Sequence, residues 1–114
     1  MTELSKEACA ACEIGAPLVS NDQQIELLKE LDNWIIDSSG ISKLIKEFKF
    51  NNYDQSIRFA NLIADLAESQ DHHPKIILEW GSVSLEWWSH KIEGLHMNDF
   101  ICAAKSDLIY NDFD

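Results

Sequence analysis

The alternation of apolar and polar residues indicates regular structure from about residue 20 onward. Residues 1–19 show no clear period, so we expect an N-terminal arm there and a single domain over residues 20–114. Ser20 with Gln23 three positions later forms a capping-box pattern, which is typical of a helix start. Apolar residues at helical spacing follow and predict a first helix over about residues 20 to 31: Ile25, Leu27, Leu28 and Leu31.

Two runs of alternating polarity predict two β-hairpins. The first covers residues 34–50 with a turn at residues 37–40. In its second strand Leu44, Phe48 and Phe50 fall at even positions and Lys43, Glu47 and Lys49 at odd ones, which places the two sets on opposite faces. The second covers residues 76–90 and turns at Gly81-Ser82. Strands joined by tight turns run antiparallel. The last strand separates two sets of side chains: Val83, Leu85 and Trp87 on one face, and Glu86, Trp88 and His90 on the other.

A longer helix is predicted between the hairpins, from an N-cap at Asn52 to about Ser69. Its apolar arc is broad, which indicates burial on two sides. The second side is either another helix of the same chain or a subunit interface. The arc consists of one stripe and the residues that widen it: Tyr53, Ile57, Ala60, Ala64 and Ala67, then Phe59, Leu62, Ile63 and Leu66.

A last helix is predicted after the loop at Gly94-Leu95 and continues to about Ile109. The element order is therefore α-β-β-α-β-β-α. Hairpins placed between helices favour an α+β fold, which we predict as a four-stranded antiparallel sheet with three helices packed on one face.

Composition and charge exclude several classes of protein. The chain has 114 residues, of which 46% are hydrophobic, enough for one domain with a real core. With 9 Lys and Arg against 20 Asp and Glu, the net charge of −11 disfavours nucleic acid and anionic membrane surfaces as partners. No apolar run is long enough to span a bilayer and no signal peptide is recognisable, so we expect a soluble, cytoplasmic protein.

Cysteine use indicates thiols rather than a disulfide framework, because the count is odd and secretion is not expected. Cys9 and Cys12 form a C-x-x-C pair. A structural zinc site needs about four ligands, and no second pair follows at a suitable spacing. We therefore favour a simple arm over a metal site, and keep a small metalloprotein using Cys9, Cys12 and a histidine as a third hypothesis.

Histidines are the residues best suited to chemistry in this sequence. His72, His73 and His90 lie at the ends of predicted elements, and imidazole titrates near neutral pH, so the cluster suits proton transfer. Trp88 shares a strand face with His90, which suits a flat heteroaromatic ligand. A polar loop and a surface tryptophan are the plainer interpretations. Adjacent histidines in an extended segment point to opposite faces, which argues against a three-histidine metal site.

The string from Glu68 through Asp71-His72-His73-Pro74 to Ser89-His90, Gly94-Leu95 and Asp99 resembles the pterin-4a-carbinolamine dehydratases, in particular the longer bacterial members. The similarity covers about residues 20 to 110. It implies loss of water from 4a-hydroxytetrahydropterin to give quinonoid dihydropterin, in the recycling of the tetrahydropterin cofactor. In such a reaction the pterin is the substrate, and neither a metal nor a further cofactor is expected.

The resemblance also implies the residues of the site. His72, His73 and His90 match the family's active-site histidines, and Pro74, Trp88, Ser89 and Lys91 line the same place. We expect His72 and His90 to transfer protons and His73 to orient the pterin. Glu68 is expected to orient a histidine and Asp99 to cap the last helix, while His96 is an N-cap or faces solvent.

Partners follow from the same resemblance. Family members form homodimers or homotetramers through helices, and an aromatic amino acid hydroxylase is a further candidate partner. The competing hypothesis is a non-catalytic, dimerising adaptor that docks a hydroxylase or a regulator. His96 stands where animal members often have Ser or Thr, so their second role as a dimerisation cofactor of a transcription factor is not transferred.

Overall fold

The computed structural model describes residues 4–6 and 18–113. The predicted element order is confirmed, and within these residues no helix combines the length and the apolar character needed to cross a bilayer. Cys9 and Cys12 lie outside the described residues. The elements are a short 3-10 turn at Leu4–Lys6, α1 Asn21–Leu28, β1 Ile35–Asp37, β2 Lys43–Lys49, α2 Tyr53–Gln70, β3 Lys75–Glu79, β4 Ser82–Trp87 and α3 Met97–Asn111.

The strands form one antiparallel sheet in the order β1-β2-β4-β3. In the register, Leu44 pairs with Trp87 and Phe48 with Val83, so these apolar side chains of β2 and β4 lie on the same face of the sheet. The hydrogen bond from Ser39 N–H to the Asp37 side chain, 3.0 Å long, closes the β1–β2 turn. This backbone hydrogen bond holds the pKa of Asp37 below its ordinary value, because it stabilises the carboxylate.

Strand β4 ends at Trp87, three residues earlier than predicted. Beyond it the chain turns back: the N–H of Ser89 donates to the carbonyl of Gly94 over 2.9 Å, and these two residues form an isolated bridge. His90 therefore lies in a short loop rather than on the strand. The sequence did not reveal this, because no glycine or proline marks the end of the strand before Gly94.

The core lies between the sheet and helices α2 and α3. From the sheet it takes Leu44, Phe48, Val83, Leu85 and Trp87, and from the helices Phe59, Ile63, Phe100 and Ala103. Leu4, which belongs to the segment predicted as an arm, is only 3% exposed and lies in the same core, because the 3-10 turn packs on α3. Part of that segment therefore contributes to the domain.

Helix α2 has two apolar sides with different environments. Phe59, Ile63 and Ala67 are buried against the sheet and α3. Tyr53 and Ile57, which belong to the predicted stripe, are exposed. Contacts within the chain thus account for one side of the broad apolar arc and leave the other side uncovered among the described residues.

A charged side chain on the helix-covered face of the sheet has a matching partner. Lys46 Nζ lies 2.8 Å from Asp107 Oδ1 on α3, and both side chains are nearly buried. The same carboxylate accepts from the indole N–H of Trp34 at 2.9 Å, and Lys46 also donates to the carbonyl of Asp32 at 2.6 Å. The ion pair thereby joins β2, α3 and the residues before β1.

Replacing Asp107 by alanine is expected to lower the free energy of unfolding by about 3 kcal/mol, because Lys46 is left nearly buried without its carboxylate. Urea denaturation measures the change. D65A, which removes an exposed carboxylate on α2, is the control and should change the value by less than about 0.5 kcal/mol. Equal losses in the two variants would contradict a stabilising role for the ion pair.

Candidate active site

The end of α2 sets the position of the first candidate histidine. Asp71 adopts the left-handed conformation (φ 50°, ψ 44°), which an aspartate tolerates better than most residues. The N–H of His72 then donates back to the carbonyl of Ala67 over 3.1 Å, which closes the helix end. His72 consequently turns inward directly after the helix, one residue before the chain becomes extended towards Pro74.

His72 is bound to a fully buried carboxylate. Its Nε2 lies 2.6 Å from Asp99 Oδ1. The hydroxyl of Ser89 and the N–H of His96 both donate to Oδ2 of the same residue, over 2.8 Å and 2.9 Å. Asp99 is 0% exposed, so these contacts replace its hydration. A carboxylate oxygen accepts this hydrogen bond from an imidazole that carries a proton on Nε2.

Asp99 has a second function at the start of α3. It is the third residue of the helix and accepts from the N–H of His96, while the His96 ring nitrogen Nδ1 accepts from the N–H of Asn98 over 3.1 Å. The predicted capping role of Asp99 is confirmed, and so is the N-cap alternative for His96. One carboxylate therefore fixes both the helix start and the His72 ring.

Trp87 covers a face of the His72 ring. The two ring planes are 5° apart and their centroids are separated by 5.7 Å, which is an offset stack. Sequence reasoning assigned Trp87 to the core face with Val83 and Leu85, and it is indeed buried there. Its contact with a histidine was missed, since only the fold brings the end of α2 next to the end of β4.

A second group of site residues lies on the other side of the sheet. Trp88 and His90 pack with their ring centroids 4.3 Å apart and their planes at 32°. Lys43 on β2 places its Nζ 4.6 Å from the centroid of the Trp88 ring and 3.9 Å from a carboxylate oxygen of Glu86. Lys43 was not predicted as part of the site, because strand pairing cannot be read from polarity alone.

His73 pairs with a carboxylate on α2. Its Nε2 is 3.6 Å from Glu68 Oε2, and the two side chains are 54% and 81% exposed. The predicted Glu68–histidine contact therefore exists as a loose surface pair. Pro74 is half-buried beside His73 and Lys91 is exposed beside His90, and their part in binding a ligand stays a prediction.

The described residues contain no group of three or more His, Cys, Asp or Glu side chains placed to hold a metal ion. His72 and His73 face different environments, one buried and one exposed, as expected for neighbours in an extended segment. What the arrangement offers is one firmly held imidazole, two exposed ones and two indole surfaces.

Comparison with known proteins identifies the class of protein that has this fold and site. The sequence profile of the family described as pterin 4 alpha carbinolamine dehydratase matches residues 17–109. The chain belongs to this family of hydro-lyases. Relatives named for the same dehydratase include one from Chlorobium luteolum, 44% identical over 113 residues (98% of this chain, 99% of the relative). Another, from Vibrio vulnificus, is 51% identical over 107 residues (93% and 97%).

Solved structures agree with the fold. A transcriptional coactivator/pterin dehydratase from Brucella melitensis superposes with a TM-score of 0.77 at 26% identity, over 82% of this chain and 99% of that one. The predicted α+β architecture is thereby confirmed. A pterin dehydratase-like protein identified as a RuBisCO assembly factor in the alpha-carboxysome shares the fold alone, with a TM-score of 0.60 at 24% identity over 69% and 90% of the two chains.

Replacing Ser89 by alanine is expected to lower the free energy of unfolding by about 2 kcal/mol, because it removes one donor from the buried Asp99 carboxylate. S84A, within β4 and on the face opposite Val83 and Leu85, is the matched control, with an expected change below about 0.5 kcal/mol. Chemical denaturation of both variants measures the difference. A loss at Ser89 no larger than at Ser84 would show that the hydroxyl does not support Asp99.

Proposed function

We propose that the chain removes water from 4a-hydroxytetrahydropterin to give quinonoid dihydropterin, and thereby recycles the pterin cofactor of an aromatic amino acid hydroxylase. The observation that carries the proposal is that consecutive tryptophans at the end of β4 contact two different imidazoles. His72 is held by Asp99 and Trp87 on the helix side, and His90 packs on Trp88 beyond the strand. The pterin would bind where the sheet ends, within reach of both.

The chemistry needs an acid and a base. The C4a–O bond breaks and the departing hydroxyl takes a proton from the acid, while the base takes the proton from N5, so that the sum is loss of one water. No electrons leave the pterin and no metal has to polarise it. Imidazole serves in either role near neutral pH, so two histidines meet the requirement.

The contacts of the three histidines support unequal roles. A proton-transfer group has to be held closely in place, and the Asp99 contact gives His72 that rigidity. His73, exposed and loosely paired with Glu68, suits an orienting contact with the pterin. His72 is only 5% exposed, so contact with a ligand is restricted to one edge of its ring. His90 is exposed but restrained by its packing on Trp88, so we assign proton transfer to His72 and His90.

Alanine variants of the histidines test this assignment. H72A and H90A should lower kcat for dehydration by about 100-fold, the lower range for general acid–base groups. H73A should mainly raise KM, with kcat within about threefold of the parent. Absorbance assays with chemically prepared 4a-hydroxytetrahydropterin measure both constants. H96S, which keeps a good N-cap, is the control and should leave them unchanged.

Two results would contradict the proposal at different levels. Equal kcat losses in H72A, H73A and H90A would refute the division of roles. No acceleration by the parent protein above the spontaneous rate would refute the dehydratase activity and favour the adaptor hypothesis. That hypothesis has some support in the name of the Brucella melitensis protein, which joins a coactivator with a dehydratase.

We further propose that the chain forms a homodimer or homotetramer through the exposed side of α2. Tyr53 is 47% exposed and Ile57 is 36% exposed, and both belong to the apolar stripe of that helix. Contact with the same stripe of a second copy would remove this apolar surface from water. A symmetric pairing of that kind is consistent with the breadth of the apolar arc.

Replacing Ile57 by glutamate should shift the protein to a smaller species, because an interface would have to bury the new carboxylate. Sedimentation velocity measures the species present. D65K on the polar side of α2 is the control and should sediment like the parent. An unchanged oligomer in I57E, or a monomeric parent, would refute this interface.

A further inference from the structure

We propose that Trp87 is a positioning residue for His72, and that its indole surface fixes the plane of the imidazole in the site. The consequence for turnover rests on the dehydratase activity proposed above. The geometric part does not, because it concerns the orientation of a side chain in the resting protein.

The contact with Asp99 restrains Nε2 of His72, and the chain restrains its Cβ. The torsion between Cβ and the ring is broad in histidines, so it favours no single ring plane by itself. Trp87 lies parallel to the ring within 5° and restricts this torsion.

The polar atom of Trp87 supports this reading. Its indole nitrogen is buried and has no hydrogen-bond acceptor among the described residues, although the residue is 0% exposed. An unsatisfied buried donor lowers stability, and a leucine or methionine would fill much of the space without it. The gain over those residues is a wide flat surface, and the surface lies against His72.

Trp87 and Trp88 connect the two halves of the site. Consecutive residues at the end of a strand point to opposite faces, and here one indole contacts His72 while the next contacts His90. A displacement of the chain at this dipeptide would move the surroundings of both histidines. The relative placement of the two imidazoles therefore depends on where β4 ends.

The test compares an aromatic with a non-aromatic replacement. W87F keeps a flat ring and lacks the indole N–H, whereas W87M fills much of the volume without a flat surface. F59M is the matched control, because Phe59 is equally buried but packs in the aromatic cluster with Phe48 and Phe50. All four proteins are labelled with 15N-histidine, and the His72 signals are assigned by comparison with H72Q.

In the parent, His72 should show one tautomer with the proton on Nε2 and ring protons shifted upfield by the indole. W87F should keep the single tautomer and a kcat within about threefold. W87M should show averaged ring signals and a kcat lower by about tenfold or more at nearly constant KM. F59M should lower the free energy of unfolding without changing the His72 signals, kcat or KM.

A W87M protein that keeps the single tautomer, with kcat and KM like those of F59M, would show that Trp87 only fills the core. If W87M does not fold, the parent spectrum still decides: averaged tautomers or unshifted ring protons for His72 would overturn the proposal. If the parent does not dehydrate the pterin, the proposed function fails, while the spectra continue to test the stack independently.

Discussion

The buried carboxylate of Asp99 is the interaction on which the rest of the structure depends. Its Oδ1 contacts His72 just after α2, and its Oδ2 accepts from Ser89 just after β4 and from the N–H of His96 before α3. Three chain segments thus meet at one side chain that has no contact with solvent. A buried ion is stable only when all its partners are present. The end of α2, the end of β4 and the start of α3 therefore have to come together around Asp99 in the folded protein.

This constraint explains the division of the site. The side of the sheet covered by helices holds a rigid imidazole, because Asp99 and Trp87 both contact it. The other side holds an exposed histidine that packs on the face of Trp88, which Lys43 also approaches. Rigidity and access are therefore provided by different histidines, and a ligand at the end of the sheet can use both.

The elements were predictable because they depend on local patterns. The capping residues Ser20 and Asn52 and the period-two strands are each encoded within a few neighbouring positions, and the structure confirms them. The early end of β4 was not predictable, since no glycine or proline follows Trp87 until Gly94. Nor were the contacts of Trp87 with His72 and of Lys43 with Trp88, because both join segments distant in sequence. The family resemblance identified the candidate histidines, but their different surroundings could be seen only in the folded structure.

The bridge between Ser89 and Gly94 has a consequence for how this site can vary. Because those two residues bond to each other through their backbones, the loop between them, which carries His90 and Lys91, is closed at its base. Changes of sequence at residues 91 and 92 can therefore alter the rim of the site with this bridge in place, whereas Glu93 has a left-handed conformation (φ 51°) that restricts its replacements. A diversified library confined to those positions would sample new ligand preferences on an unchanged scaffold.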